Sequence, residues 1–203
     1  MTRYSRKKYS WYVYKNVGQK YIVPSLVIGL TLLAYSKDAW YFDNGQGGID
    51  WQIGKPLVNA VTANTSVSLP KIRQQALELV NRDRQMNGLP PLVEDPLLAV
   101  AAQAHAEDML KRRYYDHISP EGKTPTDRFR EVGGRQGVGE NIMQQTSNQG
   151  VRLTYGLIEH FQKGWMYSPG HRENLLTADY THFGYGIIVD PLLGEVYAVQ
   201  NFY

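Results

Sequence analysis

The sequence predicts an α+β fold in which an antiparallel sheet packs between helical layers. Apolar residues recur at helical spacing between residues 70 and 165, and proline and capping signals begin the first two of these segments. From residue 183 the pattern changes to two β-rich runs, FGYGIIVD and EVYAVQNFY, which PLLG separates. The second run is apolar or aromatic on both faces, and this is typical of a strand that is covered on both sides.

Four helices precede the predicted hairpin. The first begins at Pro70, which suits a first helical position, and ends before Gly88, a C-terminal cap. The second begins after Asp95-Pro96 and continues to residue 113, where its last turn is cationic. A short third helix, TPTDRFREVGG, ends at Gly133. Residues 151–165 form the fourth, with an apolar stripe of Leu153, Leu157, Ile158 and Phe161.

The amino-terminal end predicts a membrane anchor. Residues 1–20 hold six of the 22 lysines and arginines and no acid, and no charge follows until Lys37. This apolar run spans roughly 24 Å as a helix, and the flanking aromatic residues extend it towards the membrane interfaces. We expect residues 21–36 to be a transmembrane signal anchor, with residues 1–20 in the cytoplasm and the rest of the chain outside.

Secretion after cleavage of a signal peptide is the alternative, but the small residues of a cleavage site are missing. Residues 37–69 contain glycines and a Thr/Asn/Ser stretch without helical periodicity, so we interpret them as a flexible linker to a domain at 70–203. Without the basic tail the chain is slightly acidic, which excludes a nucleic-acid surface on the domain. The sequence contains no cysteine, which excludes disulfides, thiolate metal sites and a cysteine nucleophile.

Two of the five histidines lie in polar loops beside proline and glycine: His117 in YYDHISPEG and His171 in SPGHRENLL. A third loop, GVGENIM, places Glu140 between glycines and an apolar run. Two imidazoles and a carboxylate are ligands that zinc accepts, and the same groups can bind a polar ligand or exchange protons with it. Loop-capping histidines are an equally good interpretation, because the spacings match no local metal motif.

The other histidines are expected to be structural or exposed. His105 lies on an apolar helical stripe, His160 beside another, and His182 before a strand. Ser119 and Ser168 each lie near a histidine, but proximity in sequence does not make a catalytic triad. No nucleophile elbow, Walker loop or complete dinucleotide fingerprint is present in the sequence.

Six stretches, in this order, resemble the CAP superfamily (cysteine-rich secretory, antigen 5 and pathogenesis-related proteins) and, more narrowly, its bacterial SCP-domain branch. They are LVNRDRQMNGLPPL, AAQAHAEDM, DHISPEGKTPTDRF, GVGENI, SPGHRENLL and HFGYGI, within residues 72–203. The resemblance implies a three-layer α-β-α sandwich with an antiparallel central sheet.

It also implies a central cavity with two histidines, matched by His117 and His171, and two acids. Glu140 matches the first acid. Ser168 stands where the second is expected, three positions after Trp165, and Glu173 is a neighbouring acid. The implied ligand cavity is thus His117, Glu140, Ser168 and His171, with His117, His171 and Glu140 as ligands for Zn²⁺ or another divalent cation.

Three functions remain open. The first is a non-enzymatic, membrane-anchored binding module for a lipid-like or envelope ligand. The second is a hydrolase, a peptidase or esterase that uses metal-bound water with Glu140 as base, or a serine with His171. The third is a purely structural clasp of the three loops. The missing second acid and the absent nucleophile motif favour the first.

Overall fold

The computed structural model describes residues 39–43, 49–147 and 150–203. The predicted cytoplasmic tail and the whole of the predicted anchor lie outside these residues. No helix in the described ranges has the length and apolar character that crossing a bilayer requires. The strands are β1 (Ala39–Asp43), β2 (Ile49–Gly54), β3 (Val93–Glu94), β4 (Gly139–Thr146), β5 (His182–Asp190) and β6 (Glu195–Phe202). The helices are α1 (Ala60–Ala63), α2 (Leu69–Met86), α3 (Pro96–Arg112), α4 (Pro125–Glu131), α5 (Tyr155–Tyr167) and α6 (Pro169–Leu175).

The central sheet has the strand order β3-β5-β6-β4. The predicted hairpin is confirmed as β5 and β6, and β4 also pairs antiparallel with β6. The expectation of a wholly antiparallel sheet is wrong at one edge, because the two-residue β3 pairs parallel with β5. A parallel pair needs a long crossover, and the chain after β3 supplies one that begins with α3.

Helices cover both faces of this sheet, as the three-layer prediction requires. Side chains of α2, α5 and α6 share one apolar core with β5 and β6. On the opposite face α3 packs against β4 and β6. Helix α3 also lies against Gly184 and Gly186 of β5, where an added Cβ atom would come within 2.3 Å of its backbone. These glycines let α3 approach the sheet closely.

The predicted helices agree with the structure except near residue 151. There, the side chain of Thr154 accepts from the Leu157 amide and begins α5, so the helix starts four residues later than expected and continues to Tyr167. The predicted stripe residue Leu153 precedes the helix, although it still packs against the core. A side-chain cap thus decides the boundary that apolar periodicity alone misplaces.

Part of the segment interpreted as a flexible linker is structured. Trp51 and Ile53 are buried in the core shared with α2, α5 and α6. The side-chain amide of Asn87 donates to the Gln52 carbonyl at 2.7 Å and accepts from its amide at 2.8 Å. The linker prediction for 37–69 is therefore corrected at β1, β2 and α1. Strand β1 pairs with β2, alternate residues of β2 face the core, and the β2 backbone is hydrogen-bonded to α2.

Candidate functional site

The three predicted site residues come from three different elements. His117 lies in the loop between α3 and α4, as expected. Glu140 is the second residue of β4 and His171 is the third residue of α6, so the loop assignment is wrong for both. Pro169 starts α6 two residues before His171, where a proline is well accommodated.

The Glu140 carboxylate is buried between two donors. Its side chain is 1% exposed. Oε1 accepts from His117 Nδ1 at 2.9 Å, and Oε2 accepts from Arg128 Nη2 at 2.6 Å. Because the carboxylate accepts from Nδ1, a lone pair on the His117 ring can lie only on Nε2, which is the arrangement of a metal-ligating histidine with an outer carboxylate.

Arg128 connects this carboxylate to the loop that carries His117. Its Nη1 atom donates to the carbonyls of His117 at 2.9 Å and Lys123 at 3.0 Å. A capping box between Thr124 and Asp127 starts α4 and thereby places Arg128 over the loop. Sequence reasoning missed Arg128, although the capping-box motif TPTD, directly before it, predicts the helix start.

His171 is held by its own helix and by β4. Its Nδ1 atom lies 2.8 Å from Ser168 Oγ, and its carbonyl accepts from Asn141 Nδ2 at 3.0 Å. Burial, together with repulsion from the charge of nearby His117, lowers the pKa of His171 to about 4. The ring is therefore neutral at physiological pH, the state in which imidazole binds metals.

Two asparagines that sequence reasoning left out of the site join β4 to α6. Asn174 Nδ2 donates to the Glu140 carbonyl at 3.0 Å and to Asn141 Oδ1 at 2.9 Å. Asn141 is fully buried. They are adjacent to predicted residues in GENI and HREN, but nothing in the sequence shows that they meet.

His105 and His160 follow the predictions, whereas His182 is the first residue of β5 and does not lie in a loop before it. His105 is 1% exposed, and its Nε2 atom contacts the Asp116 carbonyl at 3.1 Å. It also lies 3.9 Å from Glu140 Oε1, so this structural histidine borders the site from α3. His160 is exposed. Glu173 is also exposed.

The described side chains do not form the predicted three-ligand metal site. In the described parts of the chain, no three His, Asp or Glu side chains are arranged to hold a metal ion. Glu140 already binds Arg128 and His117, so its geometry favours the role of hydrogen-bond acceptor over that of third ligand. His117 and His171 are both hydrogen-bonded through Nδ1, and both Nε2 atoms remain for coordination.

A separate open groove of about 900 Å³ runs along α2. Its apolar lining comprises Pro56, Leu57, Leu77 and Met86, and its polar lining includes Lys55, Glu78 and Arg82. None of the predicted site residues lines it. The groove and the histidine pair are therefore two different surface features.

Two curated relatives come from Bacillus subtilis (strain 168). YkwD is 33% identical over 138 residues, which are 66% of this chain and 51% of YkwD. The membrane protein YlbC is 34% identical over 131 residues, 64% of this chain and 33% of YlbC. The chain thus spans about half of one relative and a third of the other.

Solved structures share the fold. An extracellular SCP-domain protein from Bacillus anthracis is 32% identical with a TM-score of 0.54, and the match covers 73% of this chain and 44% of that chain. An outer surface protein of Borrelia burgdorferi has a TM-score of 0.56 at 17% identity, with 68% of this chain and 96% of that chain covered. The family model for the cysteine-rich secretory protein family, CAP, matches residues 77–202. This chain belongs to the CAP family, in its bacterial SCP-domain branch.

Proposed function

We propose that this protein is a non-enzymatic CAP-domain binding module, anchored in the cell membrane through residues 21–36 with its domain outside the cytoplasm. The observation that carries the proposal is the state of Glu140. Both carboxylate oxygens accept hydrogen bonds from protein donors, and the side chain is almost fully buried. The carboxylate therefore holds the site together instead of activating a water.

The imidazoles of His117 and His171 are the ligand-binding groups of the site. The His117 side chain is 46% exposed, so an external ligand reaches it. We expect Zn²⁺ or a similar divalent cation to bind the two Nε2 atoms, with modest affinity because two protein ligands seldom hold the ion tightly. The ion would supply an open coordination position for an oxygen atom of an envelope ligand.

Calorimetric titration of the full chain in detergent with Zn²⁺ at about pH 7.5, where imidazole is neutral, tests this site. His117→Ala and His171→Ala should each remove most of the binding, and the exposed His160→Ala is the matched control. Ser168→Glu should tighten binding, because a carboxylate at His171 Nδ1 raises the basicity of the ring. No Zn²⁺ uptake, or equal loss in the control, would leave the histidines as a hydrogen-bonded clasp.

A lipid-like ligand is supported by the groove along α2, where apolar side chains lie beside Lys55 and Arg82. An acyl chain on the apolar lining with an anionic group near these cations would match this distribution. Native mass spectrometry of the protein released from detergent should show a retained lipid. Finding only the bare chain would contradict a lipid ligand in this groove.

The membrane location is supported by the charge distribution of residues 1–36. A reporter that is active only outside the cytoplasm should be active when fused after Tyr203, and the protein should fractionate with membranes. A soluble mature form whose first residue lies beyond residue 34 would instead support a cleaved signal peptide and secretion.

A hydrolase is the second candidate, because Ser168 Oγ lies 2.8 Å from His171 Nδ1, as a nucleophile lies beside its base. The low pKa of His171, about 4, makes this ring a weak base at neutral pH. A fluorophosphonate probe should therefore leave wild type unlabelled. Labelling that disappears in Ser168→Ala would establish the hydrolase instead.

A further inference from the structure

A chain of four side-chain amides, three of them fully buried, crosses the core behind the histidine site. Gln162 of α5, Gln200 of β6 and Asn141 of β4 are each at most 1% exposed, and Asn174 of α6 is partly buried. Nitrogen-to-oxygen distances along this amide chain are 3.0 Å from Gln200 to Gln162, 3.2 Å from Asn141 to Gln200 and 2.9 Å from Asn174 to Asn141.

The amide chain ends on the buried carboxylate of Asp83 in α2. Gln162 Nε2 donates to Asp83 Oδ2 at 2.8 Å. The Gly54 amide and Arg82 Nε donate to Oδ1 at 2.9 Å and 2.8 Å, and Arg82 Nη2 donates to Oδ2 at 3.1 Å. With donors on both oxygens, the Asp83 carboxylate acts only as an acceptor.

This acceptor determines the direction of every amide in the chain. A reversed Gln162 would present its oxygen to the carboxylate, so its nitrogen must face Asp83 and its oxygen must face Gln200. The same reasoning orients Gln200, then Asn141 and then Asn174. The carboxylate also polarises the hydrogen bonds of the chain in one direction.

The far end of the chain lies at the histidine site. With this orientation, Asn141 donates to the His171 carbonyl and Asn174 donates to the Glu140 carbonyl, each at 3.0 Å. In the reversed orientation, amide oxygens would face both carbonyls, and α6 would lose two of its hydrogen bonds to β4.

We propose that Asp83 is a positioning residue for the histidine site, acting through the amide chain to hold His171 on α6 against Glu140 on β4. The effect on ligand binding rests on the function proposed above. The orientation of the amides does not, because it follows from hydrogen bonds within the domain alone.

The test uses full-length ¹⁵N-labelled protein in detergent and the side-chain amide signals of Asn141 and Asn174. In Asp83→Asn an amide donor faces Gln162, so the side-chain amides of the amide chain are free to reverse their orientation. The side-chain amide of Asn174 should then exchange with solvent about tenfold faster, the factor expected for one lost hydrogen bond. Glu159→Gln is the matched control, because it makes the same chemical change at the other carboxylate bound to Arg82 and leaves the amide chain intact.

Two further variants separate positioning from stability. Gln162→Met interrupts the amide chain without altering the charge of Asp83. The Asn174 side-chain amide of this variant should also exchange about tenfold faster than in wild type, even if Asp83→Asn folds poorly. The double variant Asp83→Asn with Gln162→Glu moves the acceptor one place along the chain. It should restore slow exchange at Asn174 although its melting temperature stays low.

Binding of Zn²⁺ to the same variants provides the functional readout. Asp83→Asn and Gln162→Met should weaken binding about tenfold, while the double variant and Glu159→Gln should bind like wild type. Unchanged exchange at Asn174 in Asp83→Asn and Gln162→Met would overturn the proposal. If wild type binds no Zn²⁺ but the exchange rates change as expected, the metal site is wrong and the positioning role of Asp83 stands.

Discussion

The close packing of α3 on β5 predicts that Gly186→Ala is strongly destabilising. A Cβ atom built on Gly186 would lie 2.3 Å from the Ala102 carbonyl carbon and 2.3 Å from the Gln103 amide nitrogen. Both atoms belong to the helix backbone, so a side-chain rotation cannot relieve the overlap. Ordinary contact begins near 3.4 Å, and α3 must therefore move away from the sheet by about 1 Å.

The expected cost follows from this displacement. Overpacking of a core typically costs about 1–3 kcal/mol, and a clash with backbone belongs at the upper end, near 3 kcal/mol. In a domain of this size, the corresponding decrease in melting temperature is about 6–12 °C. Because α3 also carries His105, whose ring borders Glu140, the displacement should reach the histidine site as well.

Thermal and urea denaturation of the full chain in detergent measure this effect. Gly170→Ala is the matched control, since a Cβ atom at this helical position meets nothing within 4 Å. The control should be neutral or about 0.4–1 kcal/mol more stable. If Gly186→Ala loses less than about 1 kcal/mol while folding normally, the reasoning from close packing is refuted.

Three more predictions concern stability. The buried guanidinium of Arg84 donates to four backbone carbonyls at 2.8–3.1 Å. Arg84→Lys should therefore lower the free energy of unfolding, measured by urea titration, by about 3 kcal/mol. A loss below about 1 kcal/mol would contradict this. Arg172→Ala and Asn174→Ala should both lower the melting temperature. Arg172 stacks 4.4 Å above the Trp51 ring, and Asn174 joins α6 to β4. A normal melting temperature together with lost ligand retention would instead make them ligand-binding residues. The lowered pKa of His171 favours the neutral ring in the folded state, so stability should be complete above pH 6.5 and decrease as the pH falls towards 4. This loss of stability at low pH should be missing in His171→Gln. If the stability of that variant still decreases towards pH 4, other groups are responsible.

Local sequence signals determined most of the elements. The Asp95-Pro96 pair predicted the start of α3, where the Asp95 side chain accepts from the amides of Leu97 and Leu98. The two β-rich runs predicted β5 and β6 as a hairpin, and their side-chain pattern predicted helices on both faces. These features depend on a few neighbouring residues, so the sequence alone is sufficient.

Other features depend on residues far apart in the chain, and only the tertiary structure decided them. Glu140 belongs to a strand because β4 pairs with β6, which lies more than fifty residues later. Trp51 and Ile53 are core residues because α2, α5 and α6 provide a surface that their own segment does not reveal. The sequence predicted His117, Glu140 and His171 as site residues. The contacts of Glu140 with Arg128 and of His171 with Asn141 are visible only in the tertiary structure, since hydrogen bonds between distant elements form only after the fold brings the elements together.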